Sequence, residues 1–139
     1  MFSQFNQAFA NLLLQVLSVL VLAVAVSQVT KDPMRKHCRL VTVAVLLQFL
    51  SILVFMFPSM STLLEIGIGS SLQTQMSLHH LAGLAVVIFS VYIKLAVDGR
   101  IKRIVNPYIL MKITLALWIV VFIGGLSLYL SLWQGILLL

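Results

Sequence analysis

Hydrophobic residues fall into four long runs along this chain, and short segments richer in polar residues separate the runs. The runs cover residues 8–29, 38–57, 77–97 and 108–132. A helix needs about 20 predominantly apolar residues to cross the hydrocarbon core of a bilayer. Each run meets or approaches that length, so the pattern predicts four transmembrane helices.

The segments between the runs contain residues that end helices. Proline and the residue before it disfavour a continued helix. Three such signals flank the runs: Asp32-Pro33, Pro58-Ser59 and Asn106-Pro107. Short connections place sequential helices antiparallel. We therefore predict an all-α integral membrane protein, with residues 1–139 forming one domain folded as an up-down four-helix bundle.

Composition supports a membrane protein. Hydrophobic residues make up 62% of the chain and charged residues 9%, and the mean hydropathy is +1.16. Soluble domains carry about 25% charged residues, so a soluble class is excluded. The first run is longer than the apolar part of a signal peptide, and no basic residue precedes it, so we interpret it as a retained helix. One cysteine, Cys38, excludes an internal disulfide.

The formal net charge of +6 comes from basic residues beside the runs. They cluster in segments 30–39 and 98–107, whereas segment 58–77 contains no Lys or Arg. The positive-inside rule therefore places both basic segments in the cytoplasm, and segment 58–77 and both termini outside the plasma membrane. We expect the bilayer as partner and not nucleic acid. A basic rim would contact lipid phosphates: Lys36, His37, Arg39, Arg100, Lys102 and Arg103.

Each run has one face that is richer in polar and small residues. Such faces point towards other helices in a membrane, because lipid cannot satisfy polar groups. The four faces comprise Asn11, Gln15, Ser18 and Ala25; His37, Ala44, Gln48 and Ser51; His79, Gly83, Ser90 and Lys94; and Thr114, Trp118, Gly125 and Tyr129.

Several of these residues lie in the outer half of the predicted bundle. We predict a cofactor-binding cluster there, formed by Gln15, Gln48, Ser51, His79 and Tyr129. The alternative is that polar side chains bond between helices while other residues pack closely, which needs no ligand. The packing positions are Gly83, Trp118 and Gly125.

The three histidines limit which cofactors the chain could hold. His37 and His79 begin helices on opposite sides, about 30 Å apart. His79 and His80 are neighbours, about 100° apart around a helix, so two of these histidines cannot ligate one haem within the bundle. Haem on His79, haem shared with another subunit, quinone at His79 and Tyr129, and Cu(I) at His79 and His80 stay open. The default is no cofactor.

Three motifs in helices two to four resemble a known family. They are Lys36-His37-Cys38-Arg39-Leu40 followed by Ala44; Ser77-Leu78-His79-His80; and the spacing of Leu117-Trp118, Val121, Gly125 and Tyr129. They are similar to the domain-of-unknown-function family numbered 420, which includes the CtaM-type oxidase assembly factors. The resemblance implies a role in maturing or supporting haem-copper respiratory oxidases.

Three functions therefore stay open at this point. The resemblance favours a protein that assists assembly of a respiratory or other redox membrane complex, or an accessory subunit of it, with other membrane subunits as partners. A small electron carrier that binds b-type haem or quinone is the first alternative, and a purely structural membrane subunit is the second. The sequence contains no recognisable catalytic set, so we favour a role without enzymatic activity.

Overall fold

The computed structural model describes residues 2–31, 33–66 and 69–134, and all regular structure among them is helical. The α-helices are interrupted or extended by π-helical turns. In chain order the elements are α1 (Phe2–Ser27), a π turn (Pro33–His37), α2 (Cys38–Ser51), a π turn (Ile52–Met56), α3 (Phe57–Ile66), α4 (Ser70–Val97), α5 (Pro107–Tyr129) and a π turn (Leu130–Gln134).

These elements join into four helices that are long and apolar enough to cross a membrane. They extend over Asn6–Ser27, Arg35–Thr62, Ser70–Val97 and Pro107–Leu132 and contain 22, 28, 28 and 26 residues. The prediction of an all-α chain with four helices of membrane-spanning length is confirmed. The up-down bundle and the outside position of both termini stay predictions.

The chain divides into two compact units, Met1–Gly67 and Ile68–Leu139. In the first unit, which we call the first hairpin, α1 packs against α2. In the second unit, the second hairpin, α4 packs against α5. Each unit contains two of the four long helices, and the single domain over residues 1–139 stays a prediction.

The predicted helix break at Pro58-Ser59 is wrong, because the second long helix continues through it into α3. Proline in an α-helix lacks an N–H and collides with the carbonyl group four residues earlier. The π turn Ile52–Met56 immediately precedes this position, and the N–H of Phe57 bonds the carbonyl of Ile52, five residues back. This wider turn accommodates the proline ring. Segment 58–77, predicted as a loop, is therefore largely helical within its described residues, and α4 begins at Ser70.

A glycine and two backbone hydrogen bonds define how α4 ends and how the connection to α5 begins. Gly99 adopts a left-handed conformation, with φ of 72°. The N–H of Arg100 bonds the carbonyl of Leu95 at 2.9 Å, and the N–H of Gly99 bonds that of Ala96 at 3.4 Å. This is the Schellman pattern that ends helices, and it suits glycine because a side chain disfavours positive φ.

Asparagine and proline start α5. The side chain of Asn106 accepts a hydrogen bond from the N–H of Tyr108 at 3.0 Å, and Pro107 occupies the first turn. Both residues suit a helix start, because the cap satisfies a free N–H and proline has none to lose. The predicted break at Asn106-Pro107 is confirmed. The break at Asp32-Pro33 lies partly outside the described residues, since Asp32 is not described.

Candidate functional site

A polar network connects the two helices of the first hairpin. Ser51, fully buried, donates from Oγ to Oδ1 of Asn11 at 2.5 Å and accepts from Nε2 of Gln15 at 2.6 Å. One hydroxyl therefore satisfies two amide side chains across the interface. The predicted polar faces of these helices do meet, and Gln15 and Ser51 lie in direct contact.

The same interface continues towards the connection between α1 and α2. Ser18 donates from Oγ to the carbonyl oxygen of Ala44 at 3.2 Å, and Ala25 and Ala44 are completely buried. Nδ1 of His37 lies 2.7 Å from the carbonyl oxygen of Ala25, so this nitrogen carries the proton. Small residues thus allow close approach of the helices while hydroxyl and imidazole groups bond backbone carbonyls. His37, predicted in the basic rim, directs this nitrogen to α1.

Gln48 differs from its neighbours in this interface. Its side chain is 1% exposed, yet Oε1 has no hydrogen-bond partner within the described part of the chain. A buried amide oxygen normally accepts a hydrogen bond. Gln48 thus has a buried acceptor that no described residue uses.

His79 packs against a pair of glycines in the second hairpin. A Cβ atom built on Gly125 would lie 2.9 Å from Cε1 and 3.3 Å from Nε2 of His79, and one on Gly124 would lie 3.6 Å from Nδ1. The imidazole ring of His79 therefore occupies the space that a side chain at Gly125 would fill. Nδ1 is buried without a hydrogen-bond partner in the described residues. His79 and Gly125, each assigned to the inner face of its helix, thus lie next to each other across α4 and α5.

His80 takes a different direction from His79, as the spacing predicts. Nδ1 of His80 lies 2.7 Å from the carbonyl oxygen of Met76, one turn back in α4. The two rings are perpendicular, with centroids 5.6 Å apart. The structure contains no group of three or more His, Cys, Asp or Glu side chains suited to a metal ion among its described residues.

The remaining predicted residues of the second hairpin divide into buried and exposed positions. Trp118 is 2% exposed, and its Nε1 has no hydrogen-bond partner within the described residues. Gly83, Ser90 and Thr114 are also buried, and Tyr129 is half-buried. Lys94, assigned to the same face as Ser90, is exposed and pairs with Asp98 at 2.7 Å. The buried side of α4 continues through Ile93 and Ala96, and Lys94 lies outside it.

The residues of the predicted cofactor cluster are divided between the two hairpins. Gln15, Gln48 and Ser51 belong to the first hairpin, and His79 and Tyr129 belong to the second. Their assembly into one site stays a prediction. Tyr92 was not predicted to be important, yet its hydroxyl accepts hydrogen bonds from the backbone N–H groups of Ile104 and Val105 at 2.9 and 3.2 Å. No motif marks such a contact, because it depends on how the loop folds back.

Comparisons with protein-family models, with curated proteins and with solved structures find no significant match to this chain. The relation to the domain-of-unknown-function family numbered 420 is thus a proposal that depends on the motifs named above. The side-chain arrangement within each hairpin supplies the remaining argument about function.

Proposed function

We propose that this chain is a multi-pass plasma-membrane protein without enzymatic activity that assists assembly of a respiratory or other redox complex, or accompanies it as an accessory subunit. The observation that carries the proposal is that inner polar side chains form hydrogen bonds between helices. In the first hairpin, Asn11, Gln15 and Ser51 bond one another across the helices. Such hydrogen bonds hold the two helices together.

The apolar surface of the helices supports a role in contact with lipid and other membrane subunits. Within an apolar 18-residue stretch of each long helix, only 17–22% of the residues are buried inside the chain. Many large side chains are exposed, including Leu46 at 61% and Val120 at 63%. Surfaces of this kind suit a bilayer, and in part the helices of a partner complex.

The motif resemblance supports haem-copper oxidases as the partner class. Deleting the gene in the source organism should lower terminal oxidase activity and the oxidase haem content of the membranes. We expect wild-type protein and His80→Ala to restore both more fully than His79→Ala, because His79 contacts the glycines of α5 while His80 bonds within α4. Unchanged oxidase after deletion would refute the function, and equal restoration by the two variants would refute the assignment of His79.

A small haem or quinone carrier is the second candidate, favoured by one observation: Nδ1 of His79 is buried without a partner among the described residues. An absorption spectrum with metal and quinone analysis of protein purified in mild detergent separates the two. The assembly role predicts a colourless preparation without stoichiometric metal or quinone. A Soret band or bound quinone that is lost in His79→Ala would favour the carrier.

The proposed orientation places the connection between α1 and α2 in the cytoplasm, as its basic residues indicate. Cys38 begins α2 and is the single cysteine of the chain, which makes it a natural reporter. A thiol reagent that cannot cross membranes should leave Cys38 unlabelled in intact cells and label it after the membrane is opened. Equal labelling before and after opening would reverse the orientation. A variant with Cys38→Ser and a cysteine introduced at exposed Glu65 should show the opposite pattern.

A further inference from the structure

We infer that the connection between α4 and α5 is a binding site for the phosphate group of anionic phospholipids. We call residues 98–106 the tip. It joins two helices of membrane-spanning length, so in a membrane it lies at the bilayer surface in either orientation of the chain. The inference is therefore independent of the proposed function.

Charge at the tip is strongly positive and mostly uncompensated. Asp98 is the single acid there, and Lys94 pairs with it at 2.7 Å. Arg100, Lys102 and Arg103 are exposed, and no salt bridge to them is found in the part of the chain that the structure describes. Three cations thus face a surface where lipid phosphates are concentrated.

Apolar side chains lie among these cations and directly after them. Ile104 is 83% exposed and Tyr108 is 77% exposed, with Ile101 and Val105 also on the surface. Tyr108 lies in the first turn of α5, just after the tip, and tyrosine is enriched at the boundary between headgroups and acyl chains. A free phosphate ion would use the charges alone, whereas a phospholipid would contact both the charges and the apolar side chains. This combination favours the lipid.

Hydrogen bonds connect the tip to α4. The hydroxyl of Tyr92 accepts from the N–H groups of Ile104 and Val105, and Nε of Arg103 donates to the carbonyl of Ala96 at 3.3 Å. The Schellman turn at Gly99 sets the direction in which the chain leaves α4. A loop already ordered loses less conformational entropy on binding than a flexible basic tail would.

The test uses the full-length protein in mild detergent and measures phospholipid binding by native mass spectrometry, with phosphatidylglycerol and phosphatidylcholine as probes. We expect phosphatidylglycerol to bind more tightly. The double variant Arg100→Gln, Lys102→Gln should lower its affinity about 25-fold, or roughly fivefold for each charge removed. The control Lys31→Gln, Lys112→Gln removes the same charge from exposed positions outside the tip and outside the basic rim, and it should leave most of the affinity unchanged.

A second variant tests the shape of the site while keeping every charge. Tyr92→Phe removes the hydroxyl that holds the loop, and we expect a two- to fivefold lower affinity, about the effect of one net hydrogen bond. Circular dichroism checks that each variant stays helical. The inference is overturned if the two lipids bind equally, if both double variants lose affinity equally, or if inorganic phosphate competes as well as a soluble short-chain phosphatidylglycerol. A control variant that keeps its affinity, together with a weakened Tyr92→Phe, supports it.

Discussion

Replacing Gly125 by alanine is expected to lower the free energy of unfolding of the second hairpin by about 1–3 kcal/mol. The new Cβ would lie 2.9 Å from Cε1 of His79. Carbon atoms pack best about 3.5–4.0 Å apart, so the ring or the helix must move. Both responses weaken the contact between α4 and α5. Unfolding by sodium dodecyl sulfate in mixed micelles, followed by circular dichroism, measures the change.

Gly124→Ala is the matched control, because it adds the same methyl group one position earlier. Its Cβ would lie 3.6 Å from Nδ1 of His79, an ordinary contact distance. We expect a change within about 0.5 kcal/mol. Equal effects at the two glycines would show that a general effect of adding a methyl group to this part of α5, and not collision with His79, determines the result.

Removing the imidazole ring of His79 tests its contact with Gly125 from the side of α4. In a chain that already carries His79→Ala, Gly125→Ala should cost much less, because the atoms it meets are gone. The difference between the two backgrounds gives the coupling energy of this pair. A cost that is unchanged in the His79→Ala background would place the collision elsewhere.

Ser51→Ala is expected to destabilise the first hairpin by about 1–2 kcal/mol. The substitution removes one hydroxyl and two interhelical hydrogen bonds, leaving Oδ1 of Asn11 and Nε2 of Gln15 without this partner. Interhelical bonds in membranes contribute about 0.6 kcal/mol each on average, and up to about 1.7. The same unfolding titration measures the loss.

Ser27→Ala provides the control for Ser51→Ala. Ser27 is exposed, and its hydroxyl bonds the carbonyl of Val24 within the same helix at 2.7 Å. Because no contact between helices is lost, we expect a change within about 0.5 kcal/mol. If Ser51→Ala is no more destabilising than Ser27→Ala, the polar network contributes nothing to the hairpin. The interhelical role of these residues in the proposed function would then be wrong.

Helical spacing predicted which faces of the helices meet within each hairpin. The polar faces of α1 and α2 meet through Ser18 and Ser51, and His79 lies beside Gly125. This succeeds because residues three, four or seven apart share one side of a helix, and polar groups avoid lipid. Lys94 was assigned to an inner face by the same rule and lies on the surface. A long side chain at a helix end reaches polar surroundings whichever way its face points.

The sequence by itself determined the four apolar helices, the basic clusters and the direction of the inner faces, because these follow from local hydrophobicity and helical periodicity. Tertiary structure decided the rest. Pro58 continues a helix because a π turn precedes it. Tyr92 holds the tip because the loop returns to α4. The His79 ring fits where Gly125 lacks a side chain. Each of these three features depends on backbone geometry or on contacts between residues distant in the chain. A local pattern of residues does not predict such features.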